Sequence, residues 1–271
     1  MILSTFISLK NFCFVLFLIF SINLAGQSPY EINFKLDAPL LTASFMGNWF
    51  GETYIRKNVS PLSKSEIELL NPSDVNRFDR IAIDNYSLVA RDLSDIILYS
   101  SLAYPALTLF SKPMRDDAIV IGILGVETLG LTITITAFTK GLTKRVRPFM
   151  YNPDISIEDK TNVKGRLSFF SGHTSGVASL TFFTAKVIND YHPKSKWKPL
   201  IWSVAAIIPA TTGYLRIKGG KHYPTDVLAG YAVGATLGLL IPHIHRKNKK
   251  KRNSKLSILP KGNSVGIVMT W

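Results

Sequence analysis

Three short groups of basic, polar and imidazole side chains stand at the ends of apolar stretches in the second half of this 271-residue chain. They are Lys140 with Arg147 and Pro148, Ser171-Gly172-His173, and Arg216 with His222 and Asp226. Fixed cations of this kind suit a tetrahedral oxyanion, because arginine offers a planar fork of donors and lysine a compact point charge. On a continuous helix the spacing of Lys140 and Arg147 is two turns, which puts both cations on one side, and Pro148 should end that helix. Alone, the pair also fits a basic flank lying against lipid headgroups. In the second group, Thr174-Ser175-Gly176-Val177-Ala178 begins a helix. Its first N–H groups and the Ser171 hydroxyl are candidate anion donors, and Gly172 lets the backbone come close. His173 has the titration range for a general acid and later a base; the alternative is a plain Ser171 N-cap beside an incidental histidine. In the third group Asp226 either caps the last helix or accepts a hydrogen bond from the His222 ring, turning the other ring nitrogen toward a bound anion. Arg216 would complete the cradle, with Gly219-Gly220 making the turn flexible.

The elements that must position these groups are long and apolar. Stretches at about Leu93–Phe110, Ala118–Phe138, Val177–Ile188, Leu200–Tyr214 and Val227–Ile244 approach bilayer-spanning length. The loop Ser111–Arg115, the loop His192–Lys198 and the block Arg246–Arg252 are basic and fall on one side if every stretch crosses. That side is cytoplasmic by the positive-inside tendency, which puts all three groups on the exported face. Residues 1–27 carry one early cation, Lys10, an apolar core and a small-residue end at Ala25-Gly26. This reads as a signal peptide, or as an uncleaved anchor. Five spans after an exported start then leave the tail in the cytoplasm. The expected organisation is 1–27 leader, 28–85 N-terminal interfacial or periplasmic helices, 86–246 membrane-embedded domain and 247–271 basic tail. In the second of these, Ser63 and Glu66 are spaced for a capping box, and no residue carries recognisable chemistry. The tail beyond Leu256 reads as a small hairpin or as disordered.

Hydrophobic residues make up 46% of the chain, which places it with membrane proteins rather than soluble ones. The formal charge of +14 does not mark a nucleic-acid binder. The cations alternate with apolar stretches, no nucleic-acid motif accompanies them, and the terminal block reads as an anionic-lipid contact. Cys13 is the only cysteine and lies in the leader, so the mature chain would have no thiol chemistry. His192, His243 and His245 have no motif partners, and the last two are expected at the interfacial end of the final helix. Asp95 and Glu127 lie in apolar stretches, where an ionisable group faces inward toward polar neighbours; Glu127 could also approach the site along the helix leading to Lys140.

Over Lys140 to Asp226 the three groups together resemble the signature of the type 2 phosphatidic acid phosphatase and vanadium haloperoxidase superfamily. Lys140, Arg147 and Pro148 fit its first motif, Ser171, Gly172 and His173 its second, and Arg216, His222 and Asp226 its third. Phe170 stands where proline is usual and Leu215 where serine is common, which affects loop geometry and one secondary hydrogen bond. The resemblance implies an all-α membrane helix bundle of about five transmembrane helices after a signal peptide. It implies a bacterial inner-membrane enzyme with a periplasmic site, acting on a lipid phosphate or diphosphate monoester and releasing inorganic phosphate. His222 would attack phosphorus and form a phosphohistidine, His173 would protonate the leaving oxygen, and Asp226 would orient His222. Lys140, Arg147, Ser171, Gly172 and Arg216 would bind the phosphoryl oxygens, with no metal or cofactor required. Competing readings are a soluble periplasmic acid phosphatase of the same superfamily, a vanadate-dependent haloperoxidase, and a non-catalytic protein that binds anionic lipid. The last would need the cations but not two histidines and a carboxylate.

Overall fold

The computed structural model describes residues 28–247 together with the backbone of 255–261 and 264–270. The leader, Cys13 and most of the basic block lie outside the described residues. The longer helices are α1 (Phe34–Asn58), α3 (Leu88–Ser101), α5 (Ala118–Thr143), α7 (Gly172–Tyr191), α8 (Lys198–Lys218) and α9 (Pro224–Ile244). Short helices α2 (Lys64–Glu68), α4 (Lys112–Asp116) and α6 (Ile157–Lys160) lie in the connections, and β1 (Lys255–Lys261) pairs antiparallel with β2 (Ser264–Thr270). The capping box expected at Ser63 and Glu66 is present at the start of α2.

Four segments are long and apolar enough to cross a membrane: Leu88–Phe110, Ala118–Tyr151, Lys198–Lys218 and Pro224–Ile244. The fifth expected span, Val177–Ile188, lies in α7, which packs against α3, α5, α8 and α9. Its apolar sequence is broken by hydroxyls such as Ser179 and Thr184, which satisfy themselves on carbonyls of the preceding turn. Being surrounded by protein, α7 does not need a lipid-facing surface. The outer helices do: Leu93, Ile96, Ile119, Val126, Ile207, Leu228 and Leu240 are all exposed. Apolar surface of this extent fits lipid contact.

Two rows of small residues bring the helices close. On α9, Gly230, Gly234 and Gly238 face the Ser171, Ser175 and Ser179 carbonyls of α7, and a Cβ at any of them would sit 2.2–2.6 Å from that oxygen. Backbone approach of this kind is the use of small-residue spacing in helix pairs, and it locks the N-terminal ends of α7 and α9 side by side. The second row joins α1 to α5. Gly47 meets Thr134, Gly51 meets Ala137, Gly130 meets Ser44 and Gly141 meets Tyr54 and Ile55. The Thr134 hydroxyl adds hydrogen bonds to the Ala43 and Ser44 carbonyls.

That second row changes the arrangement expected from sequence. Helix α1 runs parallel to α5 for most of its length, so the start of the described chain and the end of α9 share one end of the bundle. Glu31 N–H donates to the His245 carbonyl and Lys247 N–H to the Pro29 carbonyl, both at 2.9 Å. At the same end the Ser111 hydroxyl meets His192 Nε2 at 2.9 Å and the Ser28 hydroxyl meets Tyr191 at 3.1 Å. The five-crossing count placed the start of the described chain and its tail on opposite faces. The bundle places them together because α1, whose apolar face carries Leu41 and Ile55 into the interior, is one more length-spanning helix.

Candidate active site

All three groups converge at the other end of the bundle, around a cavity of about 550 Å³. Lys140 occupies the last turn of α5, which ends at Thr143. Lys144 then adopts φ +47°, a left-handed cap, and the chain turns back so that Arg147 is extended. Lys140 and Arg147 therefore share the cavity through a chain reversal and not through helical phase as the spacing suggested. Arg147 is pinned by its own N–H to the Gly165 carbonyl at 2.8 Å and by Nη2 to the Leu167 carbonyl at 3.2 Å.

The cavity wall carries Arg91, Lys140, Arg147, Lys164, Arg216 and Lys221 against two carboxylates, Glu52 and Asp95. Arg147 is 9% and Arg216 5% exposed, and the Nε of each has no hydrogen-bond partner among the described residues. Buried guanidinium donors are normally satisfied, so unmet ones lining a cavity mark where an external acceptor belongs. The crowding shows in Lys221, which burial and then Arg91, Arg147 and Arg216 push down to about 7.

Ser171 caps α7, its hydroxyl bonded to the Thr174 hydroxyl at 2.9 Å and accepting the Thr174 N–H at 3.4 Å. The structural alternative from sequence is thus realised, and the oxygen is turned inward. Gly172 is where α7 meets α5: a Cβ there would lie 3.4 Å from Lys140 Nζ. His173 Nε2 lies 2.6 Å from Asp95 Oδ1, and Arg216 Nη1 reaches the same oxygen at 3.1 Å. Asp95 on α3 had been read as one of two inward-facing carboxylates; the structure makes it the partner of a motif histidine and a motif arginine. Burial and Arg216 lower the proton affinity of His173, and Asp95 opposes them.

His222 is 1% exposed and lies behind the cavity wall. Burial, then Arg147, Lys140 and Arg216, hold its imidazole well below the ordinary range, so it is neutral. Its Nδ1 stands 3.6 Å from Asp226 Oδ2 and makes no hydrogen bond. The hydrogen bond expected between the two is absent because Asp226 is already saturated. Its Oδ1 takes Arg145 Nη1 at 2.5 Å, and its Oδ2 takes the Ser168 hydroxyl at 2.5 Å and the Tyr223 N–H at 2.9 Å. The capping role of Asp226 is thereby met as well. Arg145 lies over the Tyr223 ring at 4.2 Å and extends its other arm to Asp79 Oδ2 at 2.7 Å. Asp79 in turn accepts the Thr225 N–H and hydroxyl.

This chain from Asp79 through Arg145 to Asp226 fixes the start of α9, and with it the turn holding His222. Sequence reasoning passed over Asp79, Arg145 and Ser168; an acidic residue in the polar region before α3 gave no spacing signal. Gly220 is required in that turn: at φ +64° a Cβ would lie 2.1 Å from the Asn85 carbonyl oxygen. The Ser171 N–H donates to the Asp226 carbonyl at 3.0 Å, tying the second and third groups directly.

With that geometry in place, the chain can be set beside known proteins. The family model described as the PAP2 superfamily matches residues 122–250, taking in all three groups. Over those residues the chain is similar to the PAP2 superfamily. Among relatives, it is 30% identical over 149 residues to a lipid A 4'-phosphatase of Porphyromonas gingivalis, covering 54% of this chain and 59% of that protein. It is 33% identical over 86 residues to phosphatidylglycerophosphatase B of Bacillus subtilis, covering 31% and 42%. The chain thus spans less than two thirds of the length of either relative. The crystal structure of a transmembrane PAP2-type phosphatidylglycerolphosphate phosphatase from Bacillus subtilis covers 75% of this chain and 96% of its own, at 20% identity and a TM-score of 0.47.

Proposed function

We propose that this protein hydrolyses a phosphate ester carried by a membrane lipid, through a phosphohistidine at His222, and releases inorganic phosphate. One observation carries the reading: Lys140, Arg147 and Arg216 converge on a cavity with both arginine Nε atoms unpartnered, next to an imidazole already paired to a carboxylate. A protein that only binds anions would need the cations alone. The names of the two curated relatives support a lipid phosphate as substrate.

In this mechanism the phosphoryl oxygens take the donors of Lys140, Arg147 and Arg216 with the first N–H groups of α7. The neutral His222 ring attacks phosphorus through Nε2, the bond to the lipid oxygen breaks, and that oxygen takes the proton carried by His173. Water then gives a proton to His173 and its oxygen to phosphorus, freeing His222. Positive charge comes from side chains, so no metal is needed at the reacting atoms. The same cations that lower the proton affinity of His173 in the free site are offset by a bound dianion, so substrate binding itself protonates His173, with Asp95 holding the ring.

A neighbouring cavity of about 480 Å³ shares Arg91, Arg147, Lys164 and Lys221 with the first and is walled by Phe149, Ile155 and Val163. We assign it to the polar headgroup next to the reacting phosphate. The site is placed on the exported face of the inner membrane, because the basic loops at Ser111 and His192 and the start of the basic block gather at the other end. An exported Ser28 and an exported site exclude each other in one bundle crossing. Labelling single cysteines at Lys194 and Lys164, both exposed, from outside intact cells therefore checks the orientation: only the second should react. The activity is tested by phosphate release from a panel of purified lipid phosphates in detergent with chelator, using His222→Ala as blank. Equal release by that variant would overturn the proposal.

A further inference from the structure

At the end of the bundle remote from the cavity, three ionisable side chains with no part in the proposed reaction meet in the interior. Asp37 comes from the first turn of α1, Glu127 from α5 and His245 from just past α9, and all three side chains are fully buried. His245 Nε2 lies 3.2 Å from Asp37 Oδ1 and 3.4 Å from Glu127 Oε2, yet makes a hydrogen bond to neither. Asp37 Oδ1, both oxygens of Glu127 and His245 Nε2 are without a hydrogen-bond partner among the described residues. One ligand atom from each of the three residues lies within 4.8 Å of the others.

The groups around them are arranged to leave these four atoms free. His245 Nδ1 lies 2.7 Å from the Ile241 carbonyl and donates its proton there, which leaves the Nε2 lone pair directed at the carboxylates. Asp37 Oδ2 accepts the Asn33 N–H at 2.5 Å, leaving Oδ1 to the centre. Facing lone pairs repel unless something positive lies between them. Two carboxylates and a neutral imidazole carry a charge of two, which one divalent ion balances. Metal–ligand bonds of about 2.0–2.2 Å in a tetrahedron imply ligand–ligand edges of about 3.3–3.6 Å, close to the distances seen. The imidazole selects a transition ion over magnesium or calcium.

We propose that Asp37, Glu127 and His245 bind a divalent transition-metal ion of zinc's size, one atom from each, as a buried structural site that ties the first helix to the last. The competing occupants are protons, one on His245 and one on a carboxylate, and the experiment separates the two. Full-length protein without a polyhistidine tag is stripped with a chelator in detergent, equilibrated with zinc, freed of excess and analysed for metal by mass spectrometry. Wild type and His222→Ala should each retain about one ion per chain, as a high-affinity structural site requires. Glu127→Gln and His245→Gln should retain less than about a tenth of that, with circular dichroism confirming that they are helical. Zinc should raise the melting temperature of the wild type and of His222→Ala, and not that of Glu127→Gln. Wild-type protein that holds no zinc and gains no stability from it would overturn the proposal in favour of protons. Metal lost on His222→Ala would overturn it in favour of the catalytic cavity.

Discussion

The two ends of the bundle bury charge in opposite ways. At the active-site end the unmet groups are cations around an open cavity, ready for an anion that arrives and leaves. At the remote end they are carboxylates and an imidazole lone pair, closed off from solvent and suited to an ion that stays. The same helices serve both: α1 and α5 run from Asp37 and Glu127 at one end to Ile55 and Lys140 at the other, and α9 runs from Asp226 to His245. Unpaired buried groups are costly anywhere. On the two proposed readings, the catalytic arrangement and the structural one differ in whether the space they face is open.

Substitutions at the open end should break this contrast most sharply in rate. His222→Ala should lower turnover by about 10⁴-fold or more, as loss of a nucleophile does, while the variant keeps its affinity for inorganic phosphate and its membrane extraction profile. Residual turnover within an order of magnitude of wild type would remove His222 from the chemistry. Asp95→Asn should lower kcat by about ten- to a hundredfold, within the range of general acid–base contributions, and should shift the pH profile, because His173 loses the carboxylate that favours its protonated form. A loss confined to KM would instead make Asp95 a partner of Arg216 alone.

The contrast also separates what the sequence reveals from what it hides. Lys140, Arg147, His173, Arg216 and His222 are legible because donors and imidazoles of those types recur at set distances from helix ends. The apolar outer helices are legible because lipid contact demands continuous apolar residues. Asp79, Arg145 and the carboxylate triad are not, because each acts with partners dozens of residues away and no local pattern marks the pairing. Whether helix α7 faces lipid or protein is not legible, because burial inside a bundle and burial in a bilayer leave similar apolar runs. The role of α1 was missed because its interior face is built from Ser44, Gly47 and Gly51, small residues that carry no hydropathy signal.

Arg145 tests whether the support behind Asp226 belongs to stability or to rate. Arg145→Met leaves two fully buried carboxylates, Asp79 and Asp226, without their shared cation. Breaking such a pair costs about 3–5 kcal/mol, read as a lowered denaturation midpoint, and kcat should fall with it because the turn that carries His222 loses its anchor. The double variant with Asp79→Asn should recover part of the stability, since one uncompensated charge is removed. No recovery would mean that Asp79 acts through Thr225 alone.

The smallest effect is a pH dependence, and its sign follows from the two buried imidazoles. His173 and His222 both have folded pKa values below the unfolded value of 6.5. Above 6.5 neither state binds the proton and stability is undiminished. As pH falls through 6.5 the unfolded chain takes up protons that the folded chain refuses, so stability drops, by at most about 1.4 kcal/mol per pH unit for each imidazole. His245, with its different surroundings, is common to wild type and His222→Gln, and subtracting their melting curves isolates the contribution of His222. Inorganic phosphate should flatten the wild-type slope by offsetting Lys140, Arg147 and Arg216, and should do less in Arg216→Gln. A wild-type slope indifferent to phosphate would mean that the open end does not hold the anion for which its unmet donors are arranged.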